Sequence, residues 1–337
     1  MLHDGALFDP RNGKWTMMPP SPLTPRAGTS SVWTGHLALL WGGETNDTAT
    51  VSSASNSGAA FNPSTNQWTR LPLSPLSARE GATALWTGKL AIFIGGEPPN
   101  GGFGVSDVDG ATYDPTTRRW ARLPSLSTRG FGTPVGVTAV WSGRELITWD
   151  TFQTSTPFGS NGEQIRNREV GAEWKPGEKR WRRLPSPPQG VFTATGNSTW
   201  VVGRDVITGG TNCLGAMSCP APIDGVAELF DPRNNTWTAS PKAPIFIHPD
   251  LVASVGTDLA LINESTEMSG PTLDFKPGDG TLFNPATNTD RPLPAVPMAN
   301  VGQWTSMVWT GHSLLLWGAK RDSTKTYGLQ LSEHLMP

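Results

Sequence analysis

A cassette that recurs six times, a low charge content and abundant glycine and proline predict an all-β chain, folded as a six-bladed β-propeller of four-stranded antiparallel blades. The cassette is an aromatic residue, then Asp or Asn (Lys once), then Pro, with a tryptophan five residues past the Pro. It reads Phe8-Asp9-Pro10 to Trp15, Phe61-Asn62-Pro63 to Trp68, Tyr113-Asp114-Pro115 to Trp120, Trp174-Lys175-Pro176 to Trp181 and Phe230-Asp231-Pro232 to Trp237. In the sixth, Phe283-Asn284-Pro285, Asp290 stands in the tryptophan's place. Successive prolines lie 53, 52, 61, 56 and 53 residues apart, a period of radially repeated blades rather than of consecutive domains. Only 16% of the 337 residues are charged, against 38 Gly and 31 Pro, which suits short strands and tight turns and leaves almost no helix.

Each repeat has a second half, clearest from Gly28 to Gly43 and from Gly81 to Gly96. Small residues come first and fit an innermost strand crowded against the propeller axis. A tryptophan two positions before a glycine follows, and then an apolar run that fits a second strand buried on both faces between blades. The glycines at 35, 88, 143, 203, 256 and 311 supply the positive backbone angle of a tight hairpin, and Asp/Asn-Pro opens the turn between the third and fourth strands. Inner pairs begin near 26, 79, 134, 194, 247 and 302, and outer pairs near 5, 58, 110, 171, 226 and 280. The chain thus starts with an outer pair and ends with an inner one. Residues 5–18 are expected to pair into the last blade, with 302–318, closing one domain over 1–319. The tail, 320–337, is expected to cap a face or add a strand near 327–331.

The double glycine closing the second strand, the aromatic-Asp-Pro turn and the spaced tryptophan together resemble the Kelch repeat over nearly the whole chain. That resemblance implies a propeller but no single activity, because proteins of this type include protein-binding adaptors, a six-bladed sialic acid epimerase, galactose oxidase and plant specifier proteins. Copper-radical chemistry of the galactose oxidase kind needs more tyrosines than Tyr113 and Tyr327, the first of which fills a structural turn. The iron site of the specifier proteins needs Glu, Asp and His spaced by four, a pattern missing here. No cofactor and no metal is therefore expected.

A net charge of −2 gives no field to attract phosphates, and no Lys/Arg cluster interleaved with aromatics appears, so nucleic acid is not expected as a partner. Apolar runs are strand-sized, so no membrane span is expected, and the chain is read as a monomer. Low lysine, abundant Ser, Thr and Asn, and a disulfide expected between Cys213 and Cys219 point to an extracytoplasmic protein. The start at Met1 carries no signal-peptide pattern and reads as a mature or trimmed end. Most of the 15 tryptophans occupy repeat-equivalent slots and read as blade packing.

Recognition is expected where the repeat is broken. Loops at 44–57, 97–109, 150–170, 211–225 and 263–279 emerge on one face, opposite the short turns that carry His36 and His312. On the long-loop face Arg26 and Arg79 start equivalent strands, and Glu44 and Glu97 follow the double glycines, either as structural ion pairs or as a charged rim. Asp150-Thr151 and Asn263-Glu264 replace the double glycine in two blades. Arg129 and Phe131 fall in an insertion, with His248 and Glu267 on the same face. The function expected is a non-catalytic module that binds a protein or glycan through Arg26, Glu44, Arg79, Glu97, Arg129, Asp150, His248, Glu264 and Glu267. The alternative is a sugar isomerase or mutarotase resembling N-acetylneuraminate epimerase, with His248, Glu264, Glu267 or Asp150 as acid and base.

Overall fold

A computed structural model of the chain describes residues 5–9, 11–48, 51–99, 106–126, 131–158, 162–186, 198–202, 205–210, 226–240, 251–262, 280–293, 303–319 and 326–332. Every regular element among them is a β-strand. Five four-stranded antiparallel sheets follow one another along the sequence, each with its strands in sequential order, as in propeller blades. The chain divides into two compact units, Met1–Leu184 with blades one to three and Pro185–Pro337 with the rest.

Blade two is representative. Its strands Thr83–Trp86, Ala91–Ile94, Gly110–Asp114 and Arg119–Arg122 pair in that order. Alternation along the second strand sends Ala91 and Phe93 into a core with Leu39 and Trp41 of blade one, and Ile92 and Ile94 into a core with Ala139, Leu146 and Trp174 of blade three. Every residue of that strand is buried, each large side chain contributing about 1.5–3 kcal/mol. This is the expected second strand, apolar because both faces meet a neighbouring blade. In the second unit, Leu251, Ile262, Leu282, Leu314 and Leu316 form the equivalent core between blade five and the last sheet.

The cassette now has a mechanism. Asn62 Oδ1 accepts from the Ser64 amide at 2.9 Å, Asp114 Oδ1 from Thr116 at 2.8 Å and Asn284 Oδ1 from Ala286 at 3.0 Å, so the short side chain closes the turn. The aromatic residue and the tryptophan are cross-strand partners, with ring centroids 5.0 Å apart for Phe61–Trp68 and 4.9 Å for Tyr113–Trp120. Each indole then donates to a proline carbonyl just past the preceding fourth strand: Trp68 to Pro19 at 2.9 Å, Trp120 to Pro72 at 2.9 Å, Trp181 to Pro124 at 2.6 Å and Trp237 to Pro185 at 3.0 Å. The tryptophan spacing thus encodes a stitch between successive repeats. Trp120→Phe keeps most of the ring packing and removes the stitch, so we expect a loss of about 1 kcal/mol in a urea melt. An unchanged midpoint would show that the bond adds nothing over water.

Closure through the N-terminus is not the pairing found. Ala6–Asp9 and Lys14–Met17 form a two-stranded sheet of their own. The edge of Ser313–Ala319 on which they were expected to dock is filled by Thr326–Ser332, in register from Ser313↔Ser332 to Ala319↔Thr326. The tail carries the better-matched strand, seven residues of alternating Tyr, Leu and Leu, and makes this last sheet three-stranded. The Pro19–Trp68 stitch nevertheless gives the N-terminal ribbon the place of an outer strand pair preceding blade one.

Candidate functional site

On the long-loop side of blades one and two, each second strand ends at its double glycine. Gly42 and Gly43 (φ 75° and 93°) and Gly95 and Gly96 (φ 73° and 93°) bend the chain out of the sheet. A Cβ on Gly96 would lie 2.6 Å from the Glu80 carbonyl oxygen, so no larger residue fits. The two arginines that open these blades grip the same corner. Arg26 Nη1 donates to Gly42 O at 2.9 Å and Ser57 O at 3.4 Å, and Arg79 Nη1 to Gly95 O at 3.1 Å and Asp109 O at 3.4 Å. Arg79 is 1% exposed and forms ion pairs with Asp109 at 2.7 Å and Asp107 at 3.1 Å. The expected pairing with Glu44 and Glu97 is therefore replaced, because both guanidinium groups turn inward onto strand ends.

Glu44 and Glu97 are left facing out, and a third carboxylate that the sequence reading passed over joins them. Glu80 bridges Glu97 through the backbone, and its side chain lies over Gly28 of blade one. Burial, followed by the negative charges of Glu44 and Glu97, raises its pKa. No ion pair among the described residues includes any of the three, nor do they form a metal-ligand set. Beside them opens a cleft of about 410 Å³, lined by Gly28, Glu80, Glu97, Ser106 and the segment from Val135 to Val137. Its signal in the sequence was Glu80 in the slot that Ala27 fills in blade one.

Blade three differs because Asp150-Thr151 replaces the double glycine. Neither residue takes a positive φ, so the second strand does not bend away. It runs on as Leu146–Phe158 and pairs with Gly162–Trp174 for thirteen residues, a long ribbon where a loop was expected. Asp150, paired with Val137 and Val170, is 1% exposed. Its Oδ1 has no hydrogen-bond partner among the described residues, and burial, opposed by the positive charge of Arg183, pushes its pKa up to about 8. It is thus mostly a neutral acid at pH 7.

Phe131 stands at the mouth of the same blade, its ring 5.5 Å from that of Phe152. Arg168 and Arg183, neither anticipated from sequence, place their guanidinium carbons 4.4 and 4.6 Å from its centroid. Of the expected site residues, the structure gathers Glu44 and Glu97, puts Asp150 in the next blade, and commits Arg26 and Arg79 to the scaffold. Arg129, His248, Glu264, Glu267, Cys213 and Cys219 lie outside the described residues. His36 and His312 sit exposed in short hairpin turns.

No protein-family model matches the chain. It is similar to the Kelch-like protein terF of Aspergillus terreus (strain NIH 2624 / FGSC A1156), 24% identical over 249 residues. That match covers 70% of this chain and 49% of the relative, so the chain spans about half the length of the protein it resembles. Sequential four-stranded blades, double-glycine corners and the aromatic-Asp-Pro-Trp cassette agree with that likeness, and the chain folds as a β-propeller whose repeats resemble Kelch repeats.

Proposed function

We propose that the chain is a non-catalytic binding module that recognises a protein through its long-loop face, on an array of six blades. The observation that carries this reading is the cleft beside Glu80 and Glu97. It opens at the loop end of blades two and three, and its carboxylates have no cation partner among the described residues, whereas the arginines next to them are consumed by the scaffold. Charged groups left over on a rigid framework suit recognition of a charged surface. A photo-crosslinking amino acid in place of Ser106, which lines the cleft, should trap a protein partner in an extract of the source organism. The same residue in place of His36, in a short turn, should not. Equal trapping from both positions, or none from either, would reject the reading.

The acid-base alternative has one observation in its favour, a buried carboxylic acid at Asp150 with its pKa near 8 beside Arg183. It predicts turnover of an acidic sugar that Asp150→Asn abolishes, which isotope exchange at the anomeric or adjacent carbon would detect.

A further inference from the structure

We propose that Glu145 and Glu173 hold one proton between them, and that this proton locks the short fourth strand of blade three, Arg182–Arg183, onto the third. Two departures from the repeat create the pair. Glu145 precedes Leu146 in the slot that Leu37 and Leu90 fill, and Glu173 precedes Trp174 in the slot of Ala60 and Thr112. The second and third strands are antiparallel, with Glu173 opposite Ile147, so both acids fall on one face at the hairpin end. They are 1% and 2% exposed, and their carboxyl groups lie within hydrogen-bonding reach of each other.

Each Oε1 is satisfied. Glu145 Oε1 accepts from Arg144 Nε at 2.7 Å and has the Lys175 ammonium at 3.6 Å, while Glu173 Oε1 accepts from Arg182 Nε at 2.6 Å. The two Oε2 atoms are buried, and no donor among the described residues reaches either. Two ionised carboxylates would thus face each other as acceptors with nothing to donate, and a single proton supplies the missing donor. A second proton would deprive Arg144 and Lys175 of their anion. Burial works to raise both pKa values, but at Glu145 the bonds with Arg144 and Glu173 and the charge of Lys175 outweigh it and lower the pKa. At Glu173 burial, aided by the bond to Glu145 and its charge, outweighs Arg182 and raises the pKa, so the proton resides on Glu173. No other charged group described here faces the pair: Glu178 is exposed in the cassette turn, and Asp150 lies on the opposite face of the second strand.

Loss of the proton leaves two buried negative charges in contact. Glu173 finds relief by turning towards water with Arg182, which is already 53% exposed, and Arg182 carries half of a two-residue strand. The locked strand binds the proton more tightly than the opened one. The lock therefore weakens as pH rises from the ordinary glutamate range to the raised pKa of Glu173, and is level above it.

The test is hydrogen exchange on the full chain carrying Asp150→Asn, which removes the other buried acid. Opening of the strand is read at the Leu184 amide, which donates to Gly171 O at 3.0 Å, and the Leu123 amide, which donates to Gly110 O at 2.9 Å in blade two, is the internal control. Corrected for intrinsic exchange, protection of Leu184 should fall about tenfold per pH unit until the proton has left, and that of Leu123 should stay constant. Adding Glu173→Gln, whose amide can donate to Glu145 Oε2, should make the Leu184 protection independent of pH. Carbon-13 spectra of the glutamate carboxyl groups should show one that titrates above the ordinary range and that Glu173→Gln removes. If that variant fails to fold, the two amides and the carboxyl titration in Asp150→Asn alone decide. Absence of any glutamate titrating above the ordinary range overturns the shared proton. Constant protection of Leu184 while the proton leaves, or an equal fall at Leu123, overturns the lock.

Discussion

Arg79→Ala is expected to destabilise the first unit by about 3–5 kcal/mol. The guanidinium is 1% exposed and is held by Asp107, Asp109, the Gly95 carbonyl and Ser77, whose hydroxyl accepts at 2.6 Å. The 2.7 Å contact with Asp109 Oδ1 is ionic in character and not an aligned hydrogen bond, so truncation leaves that buried oxygen without its nearest cation, and Asp109 keeps only Arg122, 3.0 Å from Oδ2. The carbonyls that end one strand and begin the next lose their shared donor in the same step. Arg26→Ala should cost less, about 1–2 kcal/mol, because Arg26 is half-buried and grips Gly42 O and Ser57 O with no carboxylate partner among the described residues. Urea melts of the two variants rank them. A melt of Arg79→Ala that overlays wild type would show that the corner holds without its arginine, and would return Arg79 to the pool of groups available to a ligand.

The period and the cassette made the blade legible because each residue in them answers a local physical demand. Asn62 closes a turn, Trp68 reaches the preceding repeat, and Gly42 and Gly43 occupy angles that other residues avoid. Even the odd cassette has a local cause. Lys175, where other repeats have Asp or Asn, puts its ammonium 3.6 Å from Glu145, a buried carboxylate beside Arg144 and the Arg182-paired Glu173. The expected pairing of residues 5–18 with Ser313–Ala319 is not the one found, because the count of half-repeats treated the N-terminal ribbon and the tail as unequal candidates. Both are short alternating strands, and the open edge of Ser313–Ala319 accepts the tail. Edge pairing depends on which strand reaches the edge, and nothing in a cassette encodes that.

The site was half legible for a similar reason. Departures from the repeat located Asp150 and Phe131 correctly as unusual, and the outward carboxylates were found at Glu44 and Glu97. Arg26 and Arg79 were misweighed because an arginine beside a glutamate in sequence suggests a pair, while the nearest acceptors in space are strand-end carbonyls and aspartates from the third strand's approach. Arg168 stands in no repeat slot, whereas Arg183 follows its cassette tryptophan by two as Arg70 and Arg122 do, and the two meet at Phe131 only through the ribbon that the missing glycines create.

That missing pair also sets the second large expectation, which concerns pH. Asp150 has a folded pKa of about 8 against 3.8 for the free side chain. Between those values the folded protein keeps a proton that the unfolded chain has released, so this group makes stability fall as pH rises from about 4 to 8 and level off above. At about 1.4 kcal/mol per pH unit, the cost by pH 7 is on the order of 4 kcal/mol. Asp150→Asn is nearly isosteric and cannot ionise, so it removes the slope. It introduces a buried amide that must find partners, at about 1–3 kcal/mol if it does not, which leaves a net gain of about 1–3 kcal/mol at pH 7. The midpoint of denaturant unfolding, measured for both proteins from pH 5 to 9, should show the variant's advantage growing to about pH 8 and then holding constant. A difference that does not change with pH would mean that Asp150 is ionised in the folded state.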